Sequence, residues 1–302
     1  MRIFKKKNRI HKMRGDNAMQ VISTIVLTLV LLIVGYPVIY VISASFSSGA
    51  ALSTGKVLLW PVDFTLDGYR FVMQYKDVWV GYKNSILYTI AGVAVTVTLD
   101  TFAAFALSRP YFRARKPLTF IFLVTMLFSA GMIPTFIIKS KLGLINSPWA
   151  VILAGSFSMH HTIILRTAFS SVPGELYDAA QLDGADHFQT LGFIGLPLIK
   201  SSLGVITLYS VVGCWNEYFN SMLYLRDKAK YPLQLILRNL LNSAAELDVT
   251  NVTSTDMLQI ANSSTDQIRY ALIIIATVPV LVVYGLVQKS FKKGVMVGSV
   301  KG

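Results

Sequence analysis

The 302-residue chain has little cysteine, little acid and little charge of either sign. Its single cysteine, Cys214, excludes an internal disulfide framework and a cysteine-ligated zinc cluster, and its apolar neighbours suit a small buried side chain. Only 14% of the residues are charged, against roughly 25% in soluble domains. Fifteen Asp and Glu stand against 28 Lys and Arg, a formal charge of +13. A nucleic-acid binder of that charge would gather its bases on one face of a soluble fold. Here they sit at the edges of apolar runs, so no nucleic acid is expected as a partner. The phosphate-cradling pattern G-x-x-x-x-G-K-[ST] is also missing. Its nearest approach, Gly49 to Lys56, has one residue too many between the glycines and ends in Val57. No His/Asp/Ser set and no metal-ligand cluster stands out. The chain is therefore read as no enzyme, with no catalytic residue, no metal site and no cofactor of its own.

What the sequence has in abundance is apolar length: 54% of its residues are hydrophobic. A bilayer core of about 30 Å takes about 20 apolar helical residues to cross. Six runs meet that test, at about 19–43, 85–107, 118–138, 149–169, 202–225 and 270–287. Backbone N–H groups in hydrocarbon need internal partners, so the runs are expected to be helices. The fold class is all-α, a polytopic membrane protein with six transmembrane helices. Pro37, Pro134 and Pro279 are expected to kink or unwind their spans.

Charge sets the expected orientation. With the N-terminus inside, the inner segments 1–17, 108–117, 166–200 and 289–302 hold 7, 4, 2 and 4 Lys/Arg, 17 in all. The outer segments are longer in total yet hold 11, as the positive-inside rule requires. Both termini are expected to be cytoplasmic. Residues 1–17 form a basic tail, because the apolar run after them is too long for a signal peptide and lacks a convincing cleavage site. A six-helix domain, 18–288, carries a cytoplasmic loop at 171–200, and 289–302 form a C-terminal tail. On the outer side, LLWPVDFTLDGYRFVM reads as a turn followed by a short amphipathic helix. The stretch RDKAKYPLQLILRNLL reads as an interfacial or re-entrant helix, too short to span.

One inner loop is unlike its surroundings: SSVPGELYDAAQLDGADHFQTLGFIGLPLIK, residues 170–200. Ser171 can cap a helix whose first turn holds Pro173 and Glu175. Ala179 and Ala180 allow close approach, and Gly184 suits a left-handed position where that helix stops. Asp186 with Gln189 three residues on spells a capping box for a second helix, apolar through Leu191, Phe193, Ile194 and Leu196 up to Pro197. The product is a helix–glycine–helix elbow carrying Glu175, Asp178, Asp183 and Asp186. Such an acidic knob suits docking into a basic groove on a partner; on the residues alone, a solvated connection between spans is the commoner origin of such a loop.

The pattern D-A-A-x-x-D-G-A at 178–185, followed by I-x-L-P at 194–197, resembles the "EAA" motif of bacterial ABC-importer permeases. Asp178 stands where Glu is usual, and Ser201 where a second proline often follows. The likeness extends over almost the whole chain. Leu107-Ser108-Arg109 at the end of span two and the tail QKSFKKGVMVGSVKG are similar to the carbohydrate-uptake branch. There the chain looks like the maltose-type second permease subunit. The segments SFSSG, GYKNSILYT and WNEYFNSMLYLRDKAKYPLQL resemble a sub-branch associated with oligosaccharide uptake.

That resemblance implies a type I ABC importer permease fold in the bacterial cytoplasmic (inner) membrane. It implies as partners a second homologous permease, two cytoplasmic ATPase subunits that use ATP and Mg, an extracytoplasmic solute-binding protein, a carbohydrate, and the lipid bilayer that surrounds the permeases. The coupling contacts would come from Glu175, Asp178, Ala179, Ala180, Asp183, Gly184, Ala185, Ile194, Leu196 and Pro197. ATP-driven closure of the ATPases would draw two elbows together and turn the pathway outward.

Sugars are commonly held by aromatic faces together with amide and carboxylate hydrogen bonds. Span five offers Trp215, Asn216, Glu217, Tyr218, Phe219 and Asn220 for that purpose, and an acid inside a span usually faces a cavity or a partner. A place at the outer interface, where Trp and Tyr anchor, fits them as well. Asp100, the other intramembrane acid, is assigned a structural role, paired with a base or a backbone donor. His160 and His161 are adjacent, so they point to different sides of a helix and cannot share one metal. An ABC permease for a non-sugar solute is the nearest alternative. An ion-coupled transporter would call for paired intramembrane carboxylates or inverted repeats, whereas the chain has two isolated acids and no repeat.

Overall fold

The computed structural model describes residues 14–246 and 265–298. Among them every regular element is helical, and the one extended pairing is a single bridge between Ser47 and Phe64. Three helices are long and apolar enough to cross a membrane unaided: α1 (Arg14–Ser45), α4 (Lys76–Ser108) and the last helix, Thr265–Gly298. Three further crossings exist only if bent pairs are counted as single spans. These are Arg115–Leu127 with Met132–Lys141 (115°), Pro148–Gly155 with Met159–Ser170 (47°), and His187–Leu198 with Lys200–Trp215 (87°).

Bends divide each of the runs expected as spans at 118–138, 149–169 and 202–225, where only Pro134, in the first, leads one to expect a kink. Between α5 (Arg115–Leu127) and α6 (Met132–Lys141) the chain turns at Ser129-Ala130-Gly131, with Gly131 at φ +82°. Pro134 falls in the first turn of α6, where a missing N–H costs nothing. The fourth run breaks at 156–158, between the short α7 (Pro148–Ile152) with its 3₁₀ turn and α8 (Met159–Ser170). The fifth run breaks at Asn216–Tyr218, so that Lys200–Trp215 is followed by a separate turn of helix, Phe219–Tyr224. Pro37 and Pro279 are accommodated inside continuous helices. The last helix runs past the expected end at 287 to Gly298. Of the two tails, residues 1–13 and 299–302 lie outside the described residues.

The chain divides into two units. In the smaller, residues 1–69 and 258–274, the end of α1 is tied to the hook that follows it, which includes the short α2 (Gly49–Ser53). Ser43 Oγ donates to Leu59 O at 2.6 Å, Val62 N donates to Ser47 Oγ at 3.1 Å, and Tyr69 Oη donates to Ser45 Oγ at 2.8 Å. Phe46 stacks between Phe64 and Tyr69. The expected turn and short helix are present, the helix being α3 (Asp67–Gln74). Across the apolar length of α1 nothing is buried, so its leucines and isoleucines need lipid or another chain to cover them.

In the larger unit, α4 is the axis against which α8, Lys200–Trp215 and Leu233–Glu246 pack. It starts nine residues before the apolar run expected at 85, and polar contacts hold it where the two meet. Asn84 Nδ2 donates to Ala229 O and Tyr231 O, Ser85 Oγ accepts Leu233 N at 2.8 Å, and Tyr88 Oη donates to Lys230 O. Gly81 is placed where a Cβ would lie 2.6 Å from Ile236 Cδ1 and 3.0 Å from Leu233 Cα. RDKAKYPLQLILRNLL is therefore pinned to α4 along its buried face, Leu233, Leu235, Ile236, Leu237 and Leu240. Between spans lipid is as apolar as leucine, so close packing and hydrogen bonds of this kind hold the helices together.

Candidate functional site: the acidic elbow and the polar breaks in the spans

The elbow is built by two opposed caps. Helix α9 (Gly174–Leu182) ends with Gly184 at φ +82°, while Gly184 N donates to Gln181 O (3.1 Å) and Ala185 N to Ala180 O (2.9 Å). That pair of bonds is a Schellman motif, and its left-handed residue is most cheaply glycine. Two residues on, Asp186 Oδ1 accepts Gln189 N (2.7 Å) and Gln189 Oε1 accepts Asp186 N (2.9 Å), the expected capping box. The helix it opens, α10 (His187–Leu198), widens into a π-turn over Thr190–Gly195. Pro197, two residues past the turn, offers no N–H to the ladder. Ser171 does not cap α9. Val172 precedes a proline and disfavours helix, so α8 ends at Ser170 with Ser171 as its C-cap, whose hydroxyl donates back to Ala168 O at 2.8 Å; Pro173 occupies the N-cap place.

The elbow is seated by its aromatic and apolar side chains. Tyr177 and Leu191 join Ala104, Phe105, Leu165, Phe169, Ile199 and Ile206 in one buried cluster, with Ile194 and Leu196 packed on it. Gly195 permits this, because a Cβ there would lie 3.0 Å from the Phe169 ring. Arg109, buried at the end of α4, lays its guanidinium 3.7 Å from the Tyr177 ring centre and 4.8 Å from that of Phe105, while Nε donates to Ser108 Oγ. Tyr111 stacks on His187, and its hydroxyl accepts from Gln181 Nε2 at 3.3 Å. The outer surface is the opposite. Glu175, Asp178, Ala179, Asp183 and Gly184 are exposed, Ala185 is half-buried, and Ala180 alone of the D-A-A-x-x-D-G-A pattern is buried. Leu182, Phe188 and Phe193 are exposed among those acids, at 89%, 74% and 82%. Of these, the sequence pattern picks out Phe193 as an apolar residue of the second helix and passes over Leu182 and Phe188.

Asp100 has the structural place assigned to it. Fully buried, it accepts Ser158 N at 2.8 Å through Oδ1 and lies 3.0 Å from His161 Nδ1 through Oδ2. One turn earlier Thr96 Oγ1 donates to Gly155 O at 2.9 Å. Residues four apart share a helix face, so α4 presents an acceptor and a donor to the backbone groups freed at the 156–158 break. His161 also stacks on Tyr209, and His160 is exposed. Among the described residues no cluster of three His, Cys, Asp or Glu could hold a metal.

The residues of the fifth run are divided by the break at Asn216–Tyr218. Trp215 is buried, donating Nε1 to Ala276 O at 3.0 Å, and borders an apolar cavity of about 410 Å³. Asn216 and Tyr218 are exposed. Glu217 spends both oxygens on Asn220, accepting its N at 2.7 Å and its Nδ2 at 2.9 Å, and so caps the next turn of helix. Arg238, missed in the sequence, lays its guanidinium 4.5 Å from the Tyr218 ring centre.

No protein-family model matches the chain. It is 38% identical to the polygalacturonan/rhamnogalacturonan transport system permease protein YtcP of Bacillus subtilis (strain 168) over 269 residues, 88% of this chain and 92% of that one. It is 30% identical to the galactooligosaccharides transport system permease protein GanQ of the same organism over 291 residues, 93% and 95% of the two chains. Among solved structures, a chain of a bacterial ABC transporter involved in the import of the acidic polysaccharide alginate superposes with a TM-score of 0.82 at 34% identity. That match covers 93% of this chain and 99% of the other.

Proposed function

Because the chain belongs to the permease subunits of carbohydrate ABC importers, we propose that it forms, with a second homologous permease, the membrane pathway for an oligosaccharide. The pathway crosses the bacterial cytoplasmic membrane in six spans, three of them bent, with both termini inside and residues 18–288 as the permease domain. Two separate ATPase subunits, using ATP and Mg, drive it. An extracytoplasmic binding protein delivers the sugar; a bacterial alginate ABC transporter that shares this fold is known in complex with an alginate pentasaccharide-bound periplasmic protein. This chain carries no ATPase site of its own.

The observation that carries the reading is the elbow. Its backbone is fixed by a Schellman motif and a capping box within a few residues, and its inner face is locked to α4, α8 and Lys200–Trp215. Its outer face mixes acids with bare Leu182 and Phe188, the composition of a docking surface rather than of a solvated loop. Force applied there reaches the spans without being absorbed by the loop. Asn216, Glu217, Tyr218 and Asn220, at a break in an apolar run, are the residues that meet the sugar; unwound backbone at membrane depth is tolerated where it lines a cavity. Trp215 supports them from behind.

Expressed from its own operon with an affinity tag, the chain should bring with it a related permease and an ATPase. ATP hydrolysis by the reconstituted complex should rise when the loaded binding protein is added. A chain that purifies alone and transports sugar without an ATPase would overturn the proposal.

A further inference from the structure

The connection after α4 reads SRPYFRARKPLTF, residues 108–120. Arg113, Arg115 and Lys116 from this stretch meet Arg166 of α8 around one cavity of about 610 Å³. No carboxylate lines it, and among the described residues none of the four cations is in an ion pair. Four like charges around one hollow repel each other unless an anion lies between them. Thr119 lines the same cavity, and its hydroxyl is buried with no hydrogen-bond partner among the described residues. A phosphate satisfies this set: its oxygens take the guanidinium forks in pairs and accept the threonine hydroxyl.

The surroundings narrow the source of that phosphate. Helix α5 buries none of its side chains. Phe120, on the rim of the cavity, is 69% exposed, and Ile121 and Leu127 beyond it are exposed too. A small free anion would use the charges and leave this apolar flank bare. A phospholipid uses both, with its headgroup among the bases and its acyl chains along the helix. Basic pockets between spans on the cytoplasmic side are the recurring form of anionic-lipid sites.

We propose that Arg113, Arg115, Lys116 and Arg166, with Thr119, hold the phosphate headgroup of an anionic phospholipid of the inner leaflet. The leaflet rests on the cytoplasmic placement of 108–117 given above; the headgroup chemistry does not. Bound there, the lipid ties the α4–α5 connection to α8. The same connection carries Arg109 and Tyr111, which touch the elbow at Tyr177, Gln181 and His187.

The test uses the whole importer, captured through this chain and placed in nanodiscs of phosphatidylcholine with added phosphatidylglycerol. Native mass spectrometry after release counts the retained lipid. The intact complex should keep phosphatidylglycerol in preference to phosphatidylcholine. Each cation near a membrane surface contributes about fivefold in affinity, so Arg115→Gln with Arg166→Gln should lower retention about 25-fold. Arg113→Gln, at an exposed position, should lower it about fivefold and keeps the test alive if the double variant fails to assemble. Lys200→Gln, away from the cavity, should change nothing. Equal retention by the cavity variants would overturn the proposal. So would displacement of the lipid by millimolar inorganic phosphate at fixed ionic strength, which would mark a free-anion site. Loss of the ATPase or second permease with lipid retention intact would instead mark a protein contact, and would overturn it too. The leaflet is read separately, from Arg113→Cys in a Cys214→Ser background. An impermeant maleimide should label it only after cells are opened; labelling of intact cells would sink the orientation while leaving the lipid count to judge the cavity.

Discussion

Replacing Asp100 by leucine removes a buried carboxyl group from α4, and two opposite outcomes are conceivable. Buried ionic groups are often dispensable when apolar side chains of similar volume take their place. Asp100, however, does not stand alone: it receives the Ser158 amide at 2.8 Å and the His161 ring at 3.0 Å. Leucine would strand both donors at a break in the helix, where no turn of backbone can take them over. A buried donor left unsatisfied costs about 1–3 kcal/mol, so the two together set an expected loss of about 2–6 kcal/mol. Asp100→Asn keeps one acceptor oxygen and should cost about half as much. Asp100→Leu combined with His161→Leu removes one stranded donor along with the acceptor, so the pair should be milder than the sum of its singles. The assay is the temperature at which the detergent-purified complex loses its monodisperse gel-filtration peak, compared across the four variants and wild type. An Asp100→Leu complex as heat-resistant as wild type, or more so, would refute the reasoning.

Three further expectations follow from the geometry. Gly184→Val places a β-branched residue at φ +82° with open space around it, so the cost of about 1–2 kcal/mol is backbone strain alone. The complex should assemble but hydrolyse ATP without proportionate sugar uptake, whereas Gly184→Asn should stay near wild type; unchanged coupling in Gly184→Val would count against the elbow's role. Gly81→Val meets backbone at Leu233 and should lift the helix that follows, read as faster proteolysis between 226 and 242. Tyr177→Leu keeps the apolar volume but removes the ring under Arg109. It should cost about 0.5–2 kcal/mol in the same heat-resistance assay, and Tyr177→Phe should restore most of it.

The elbow was legible in the sequence because its geometry is local. A left-handed residue, an Asp and a Gln three apart each leave a mark in the chain, and Gly184, Asp186 and Gln189 stand as expected. Ser171 was misread because two signals competed within three residues, and the restriction before Pro173 outweighed the serine's capping tendency. The break at 216–218 carried a mark, Asn216 and Glu217 within an apolar run, and its cap is local, from Glu217 to Asn220. The breaks at 128–131 and 156–158 left little trace, since no charged residue marks them; the compensation of the second, Thr96 and Asp100, stands some sixty residues from the groups it satisfies. Gly81 and Gly195 were invisible for the same reason: their neighbours, Leu233, Ile236 and Phe169, come from other helices. Exposed Leu182 and Phe188 could have been found by asking which apolar residues of the loop lie away from the Tyr177 and Leu191 face.

The two caps that meet at Gly184 use only bonds made between residues 180 and 189. The angle between the helices thus travels with a short cassette, while the seat, Tyr177, Leu191 and Gly195, lies just on its flanks. A graft of about 174–197 from one permease into another should carry its shape intact, provided those anchors come too. Changing which engine a transporter answers to would then be an exchange of one continuous segment, leaving the spans that handle the cargo as they are.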